Sequence, residues 1–88
     1  MNQRQLERIV KGFANHRRIQ MLDLLSREPE LSVAEIAQKL DVNMKTASEH
    51  LRRLAQSGLI LKRNQNVNVR HRLTERGNHI LKFLRILE

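Results

Sequence analysis

The chain has 88 residues, 17 Lys/Arg against 9 Asp/Glu for a net charge of +8, two aromatic residues and no cysteine. A chain of this length makes one small domain that buries only about 60–65% of its unfolded surface, so association would add stability. The missing cysteine excludes disulfides, thiolate metal sites and a Cys nucleophile. No apolar run approaches the roughly 18 residues of a membrane span, and MNQRQLERIVKG lacks the apolar core of a signal peptide. The expectation is a cytoplasmic protein with no membrane partner.

Leu6, Ile9, Val10 and Phe13 fall at i, i+3, i+4 and i+7 and predict a first helix over 3–12, weakened at Gly12. Asn15 can cap a second helix that runs to about Arg27. Its apolar residues, Ile19, Met21, Leu22, Leu24 and Leu25, are too many for one stripe and imply burial on more than one side. Pro29 closes the region. Ser32-Val33-Ala34-Glu35 is a capping box, in which hydroxyl and carboxylate satisfy two free N–H groups reciprocally. The third helix behind it ends near Leu40.

Asp41-Val42-Asn43 then reads as a tight turn, with Asp tolerating a left-handed backbone and Asn43 capping the next helix. That fourth helix, from about Met44 to Ser57, stops at Gly58. Ala47, Leu51 and Leu54 face inward; Lys45, Glu49, Arg52 and Gln56 face outward, flanked by Thr46, Ser48 and Arg53.

The period then changes to two. Residues 59–63 predict a strand, 64–66 a turn and 67–73 a returning strand, with Val67, Val69, His71 and Leu73 on one face and Asn68, Arg70 and Arg72 on the other. Thr74 caps a last helix over 75–88. The fold class expected is mainly α with a small β-hairpin, in the order α-α-α-α-β-β-α. The whole of residues 1–88 reads as one domain: a helix-turn-helix over 32–57, a wing over 59–73, and terminal helices at 3–12 and 75–88.

The charge is not spread evenly. Residues 1–41 carry seven Lys/Arg against six Asp/Glu, and residues 74–88 carry three against two. Residues 42–73 carry seven against Glu49 alone, a net of +6. An excess gathered in one segment points to a polyanionic partner. A helix about 10–12 Å across fits the major groove of B-DNA. The outer face of the fourth helix would then present Lys45, Thr46, Ser48, Glu49 and Arg52 to base edges. Arg53, Lys62, Arg63, Arg70 and Arg72 suit phosphates.

Residues Phe13 to Leu73 resemble the ArsR-type winged helix regulators. The matching pieces are FANHRRIQMLDLL, LSVAEIAQKLDVNMKTASEHLRRLAQSGLI and VNVRHRLTERG. The pattern in 47–60, a small residue, Ser, any residue, His-Leu, then Leu and Ser-Gly-Leu-Ile, is the specific part. Leu-Thr-x-x-Gly at 73–77 is shared with MarR-like winged helices, the second family considered. The resemblance implies a homodimeric regulator of transcription, expected to be a repressor, with residues 44–57 as recognition helix and 60–72 as wing.

The chain departs from that family in three places. The Cys pair many members use for metal is absent. Of the His and carboxylate groups others use, only His71, Glu75 and His79 are present, and a core-edge histidine with a solvated pair is the expectation. Asp41 stands where Gly is frequent, and the wing offers Asn64, Asn66 and Asn68 in place of its usual Gly.

No metal, cofactor or catalytic group is therefore expected. Ser48 and His50 point to different sides of one helix and cannot act as nucleophile and base. His50 reads as a packed histidine and His16 as a surface one. The terminal helices supply the expected dimer interface: Leu6, Ile9, Val10 and Phe13 against Ile80, Phe83, Leu84 and Leu87, with Phe13 and Phe83 as aromatic anchors. The alternative is a winged helix that binds RNA or protein without operator specificity. Such a module would show an apolar patch on the outer face of 44–57.

Overall fold

Five polar side chains start five helices. The computed structural model describes residues 1–66 and 68–88. It contains α1 (Gln3–Phe13), α2 (His16–Arg27), α3 (Val33–Leu40), α4 (Met44–Gln56), β1 (Ile60–Gln65), β2 (Asn68–Leu73) and α5 (Glu75–Leu87). Asn15 Oδ1 accepts from the amides of Arg17 and Arg18 at 2.9 and 3.2 Å. Ser32 and Glu35 close the expected capping box, at 3.2 Å onto the Glu35 amide and 3.0 Å back from the Ser32 amide. Asn43 caps α4 through the Thr46 amide at 2.7 Å, and Thr74 caps α5 through the Gly77 amide at 3.0 Å. The sequence reading missed a second capping box, between Asn2 and Gln5, at 2.8 Å in both directions.

The core is aliphatic, as a chain with two aromatics requires. Met21, Leu22, Leu25, Ile36, Leu51, Leu54 and Leu59 are fully buried, with Phe13, Leu24, Leu31, Ala37, Ala47, Ile60 and Leu81 completing the cluster. α2 is buried on more than one side because α4, α5 and β2 all pack on it. Asp41 takes the left-handed backbone (φ 54°, ψ 51°) that turns α3 into α4. Gly58 at φ 72° ends α4 without the penalty a Cβ brings there.

β1 and β2 pair antiparallel from Ile60↔Leu73 to Gln65↔Asn68. The expected turn at 64–66 is therefore displaced toward the C-terminus. Asn64 and Asn68 are paired in strands, and of the three asparagines only Asn66 is left-handed, at φ 57°. Val67, expected on the inward face of β2, lies outside the described residues. The hairpin also gains a rung the sequence did not announce. After Pro29, Glu30 turns left-handed at φ 68°. Leu31 then bridges His71, whose amide donates to the Leu31 carbonyl at 2.9 Å.

α5 docks where only glycine fits. A Cβ at Gly77 would stand 2.1 Å from the Leu59 carbonyl oxygen, and that oxygen also accepts from the Thr74 amide at 3.1 Å. Among the described residues no helix is long and apolar enough to cross a membrane.

Candidate nucleic-acid interface

α4 is held from behind by Ala47, Leu51 and Leu54, all fully buried, so its opposite face must be outside. Lys45, Thr46, Ser48, Glu49, Arg52 and Arg53 are all exposed. Ser48 shares the wall of a concavity of about 370 Å³ with Lys62, Asn64 and Val69 of the hairpin. The polar face of α4 and the hairpin thus border one surface.

Within that surface the cations are partly matched. Arg52 donates through Nε and Nη2 to the two carboxylate oxygens of Glu49, at 3.1 and 2.5 Å. Arg53 Nε stands 3.4 Å from the same group. The bond from Arg52 is the main influence holding the Glu49 carboxyl below its usual range; desolvation opposes it, and the charges of both arginines add to the lowering. Lys45 and Lys62 make no ion pair among the described residues.

The hairpin corrects the charge count made along the sequence. Arg63 and Arg70 sit directly opposite one another in the register, which is unfavourable for like charges. Two carboxylates from outside the basic segment relieve it. Glu30 lies 3.0 Å from Arg63 and 3.8 Å from Arg72. Glu35 lies 2.6 Å from Arg70. The Arg70 side chain is only 29% exposed and also donates to the Glu30 carbonyl at 3.2 Å. Three of the four hairpin cations therefore do not stand free for phosphates; they lean on acids that linear counting had assigned elsewhere.

The terminal helices also correct one expectation. Phe13 is 7% exposed and belongs to the chain's own core, so it offers no aromatic anchor to a partner. Ile9, Ile80 and Leu84 are half-buried against that core. Leu6, Val10, Phe83 and Leu87 are exposed, together with Ile86 of the same apolar helix. Phe83 is 51% exposed and Ile86 79%.

The histidines fall as expected at two positions. His71 is buried, its Nδ1 donating to the Leu31 carbonyl at 2.9 Å, and His16 is exposed. His50 is half-buried with Nδ1 unpartnered. Burial is the main influence lowering its imidazole pKa, followed by the Arg18 charge. Glu75 and His79 stand 3.9 Å apart in solvent. Among the described residues no group of three or more His, Cys, Asp or Glu side chains assembles as a metal site. Arg18 was passed over in the sequence; its Nε and Nη1 are buried without a hydrogen-bond partner.

The helix-turn-helix domain family matches residues 13–63, from the end of α1 into β1. The chain belongs to that family. It is 38% identical over 84 residues to the HTH-type transcriptional regulator Rv0324 of Mycobacterium tuberculosis, covering 96% of this chain and 36% of that protein. It is 35% identical over 66 residues to the transcriptional activator HlyU of Vibrio cholerae, covering 75% of this chain and 60% of that one. The chain thus spans about a third of the first relative and three-fifths of the second. Among solved structures it superposes on the homodimeric winged helix-turn-helix DNA-binding domain Mb0332 of Mycobacterium bovis, described as a possible ArsR-family regulator. The TM-score is 0.86 at 32% identity, over 94% of this chain and 77% of that one. The fold is a winged helix-turn-helix, and the ArsR-type resemblance drawn from the residues holds.

Proposed function

We propose that the chain is a transcriptional regulator that binds double-stranded DNA sequence-specifically, reading the major groove with α4 and the phosphate backbone with the hairpin. One observation carries the reading: the exposed face of α4 is polar and cationic from its Asn43 cap onward and borders the hairpin. A duplex can take that face into a groove. Among the described residues Met44 is the one exposed large apolar side chain on α4, which disfavours a protein-docking role. The relatives named above, regulators and a DNA-binding homodimer, support the same reading. So do the exposed apolar residues of α1 and α5, which suit a two-fold dimer placing two α4 helices about 34–36 Å apart on successive grooves.

The test is selection from a random duplex pool followed by a salt titration on the recovered sequence. A dimer neutralising on the order of 6–10 phosphates loses about 10³–10⁵ in affinity between 50 and 200 mM salt. Recovery of no preferred duplex, or binding indifferent to salt, removes the proposal.

A further inference from the structure

A separate cavity of about 500 Å³ opens between α1, Arg18 of α2, the end of α4 and the start of α5. That volume lies within the range of small-molecule sites and is larger than a lone water needs. Arg8, Lys11, Arg18, Arg53 and Arg76 line it, beside the apolar Ile9, and no carboxylate belongs to the lining. Some of these cations already have partners. Lys11 leans toward Glu7 at 3.9 Å, Arg53 toward Glu49 at 3.4 Å, and Arg76 donates to the Ser57 carbonyl at 3.1 Å. Arg18 has none for its Nε and Nη1, which are cut off from solvent.

Guanidinium donors so placed are costly to leave unmade. Burial, and then the charge of Arg53, pull the Arg18 pKa below its usual value, with Glu49 offsetting only in part. We propose that this cavity is a binding site for a small polyanion bearing phosphate or carboxylate groups, with Arg18 as its central donor and Arg8, Arg53 and Arg76 supplying charge. A stiff duplex fits less well into a concavity between helices. A small anion can occupy it beside Arg18, and it reaches Nε and Nη1, closed to water in the free chain, as the flanking side chains part. The proposal does not rest on DNA binding.

The probes are inorganic pyrophosphate and citrate, titrated separately into ¹⁵N-labelled protein. Saturable movement of the Arg18 Nε–H and of the Gly12 and Ser57 amides is expected with at least one of them, and the more effective probe assigns phosphate or carboxylate. His50, which the same cations depress, should titrate at higher pH with the anion bound, since a nearby negative charge favours imidazolium. Arg18→Gln should weaken binding at least tenfold. Arg8→Gln, on the exposed side of α1, should weaken it severalfold without threatening the fold. Arg4→Gln, outside the lining, should change it less than twofold. No saturation at tens of millimolar, or equal losses from Arg4→Gln and Arg8→Gln, overturns the proposal. So does an Arg18 resonance that moves with a 12-base-pair duplex but with neither probe.

Discussion

Arg70 and Glu35 meet through one oxygen: Oε1 of Glu35 receives Arg70 Nη1 at 2.6 Å and the Ser32 amide at 3.0 Å. The carboxylate that caps α3 is thus the one that ties down the hairpin. Both hydrogen bonds from Ser32, and then Arg70, hold its pKa below the usual range, burial opposing them. Glu35→Gln keeps an acceptor for the cap and removes the charge that neutralises Arg70. In the proposed complex the freed arginine should tighten duplex binding and steepen the salt slope by roughly one per chain. Stability should change little, because the pair is partly exposed. Binding isotherms at four salt concentrations, with thermal melts, measure both.

Arg52→Ala and Arg70→Ala should differ in kind. Losing Arg52, on the outer face of α4, should cost about 1–3 kcal/mol of affinity and relax preference at one base pair. Losing Arg70, which Glu35 already occupies, should weaken every duplex alike by uncovering that carboxylate, with sequence preference unchanged. Specificity profiles of both variants decide it, and identical sequence-independent losses would take base reading away from Arg52.

For assembly, the structure separates two substitutions that look equivalent in sequence. Phe83 is half exposed, whereas Leu84 packs partly on the core. Phe83→Glu should give a folded monomer of 10.4 kDa whose melting temperature falls only by what association had added. Leu84→Glu should in addition lose about 1–3 kcal/mol by pushing a carboxylate toward that core. Light scattering at micromolar concentration reads the mass. A wild-type protein that is itself monomeric removes the dimer.

Acid should weaken the fold in two stages. Burial holds the His71 imidazole below the ordinary range, with the Leu31 carbonyl offsetting only in part. As pH falls below about 6.5, the unfolded chain takes up this proton before the folded one does. Stability is therefore lost progressively from there down to the folded-state value, and His50 adds to the loss in the same sense. Glu35 and Glu49, held low in the folded state, add a second loss only as pH falls below about 4.5 and through their lowered values. His71→Gln should flatten the fall in melting temperature between pH 7 and 5. A profile unchanged from wild type assigns the first stage to another group.

Elements were legible where local chemistry decides them. Four of the five caps, the left-handed Asp41 and the inward Ala47, Leu51 and Leu54 all follow from residue type and spacing along a few turns. What escaped depends on chain segments far apart in sequence. Glu30 and Glu35 reach the hairpin across 33 to 40 residues, so no linear count reveals that they neutralise Arg63 and Arg70. Phe13 continued a periodic apolar stripe, and periodicity says which residues share a face without saying whether the chain's own core or a partner covers it. Arg18 lay in a run of charges that reads as solvated until α1 and α4 close around it.

The fit of Gly77 against Leu59 has a consequence for DNA geometry. Since backbone meets backbone there, the angle at which α5 leaves the hairpin is not adjustable by side-chain repacking. In the proposed dimer α5 is the arm joining one reading head to the other. Exchanges among Phe83, Ile86 and Leu87 can thus tune how tightly two copies hold together. The gauge between the heads, and with it the half-site spacing, is set by a rigid joint that tolerates no side chain.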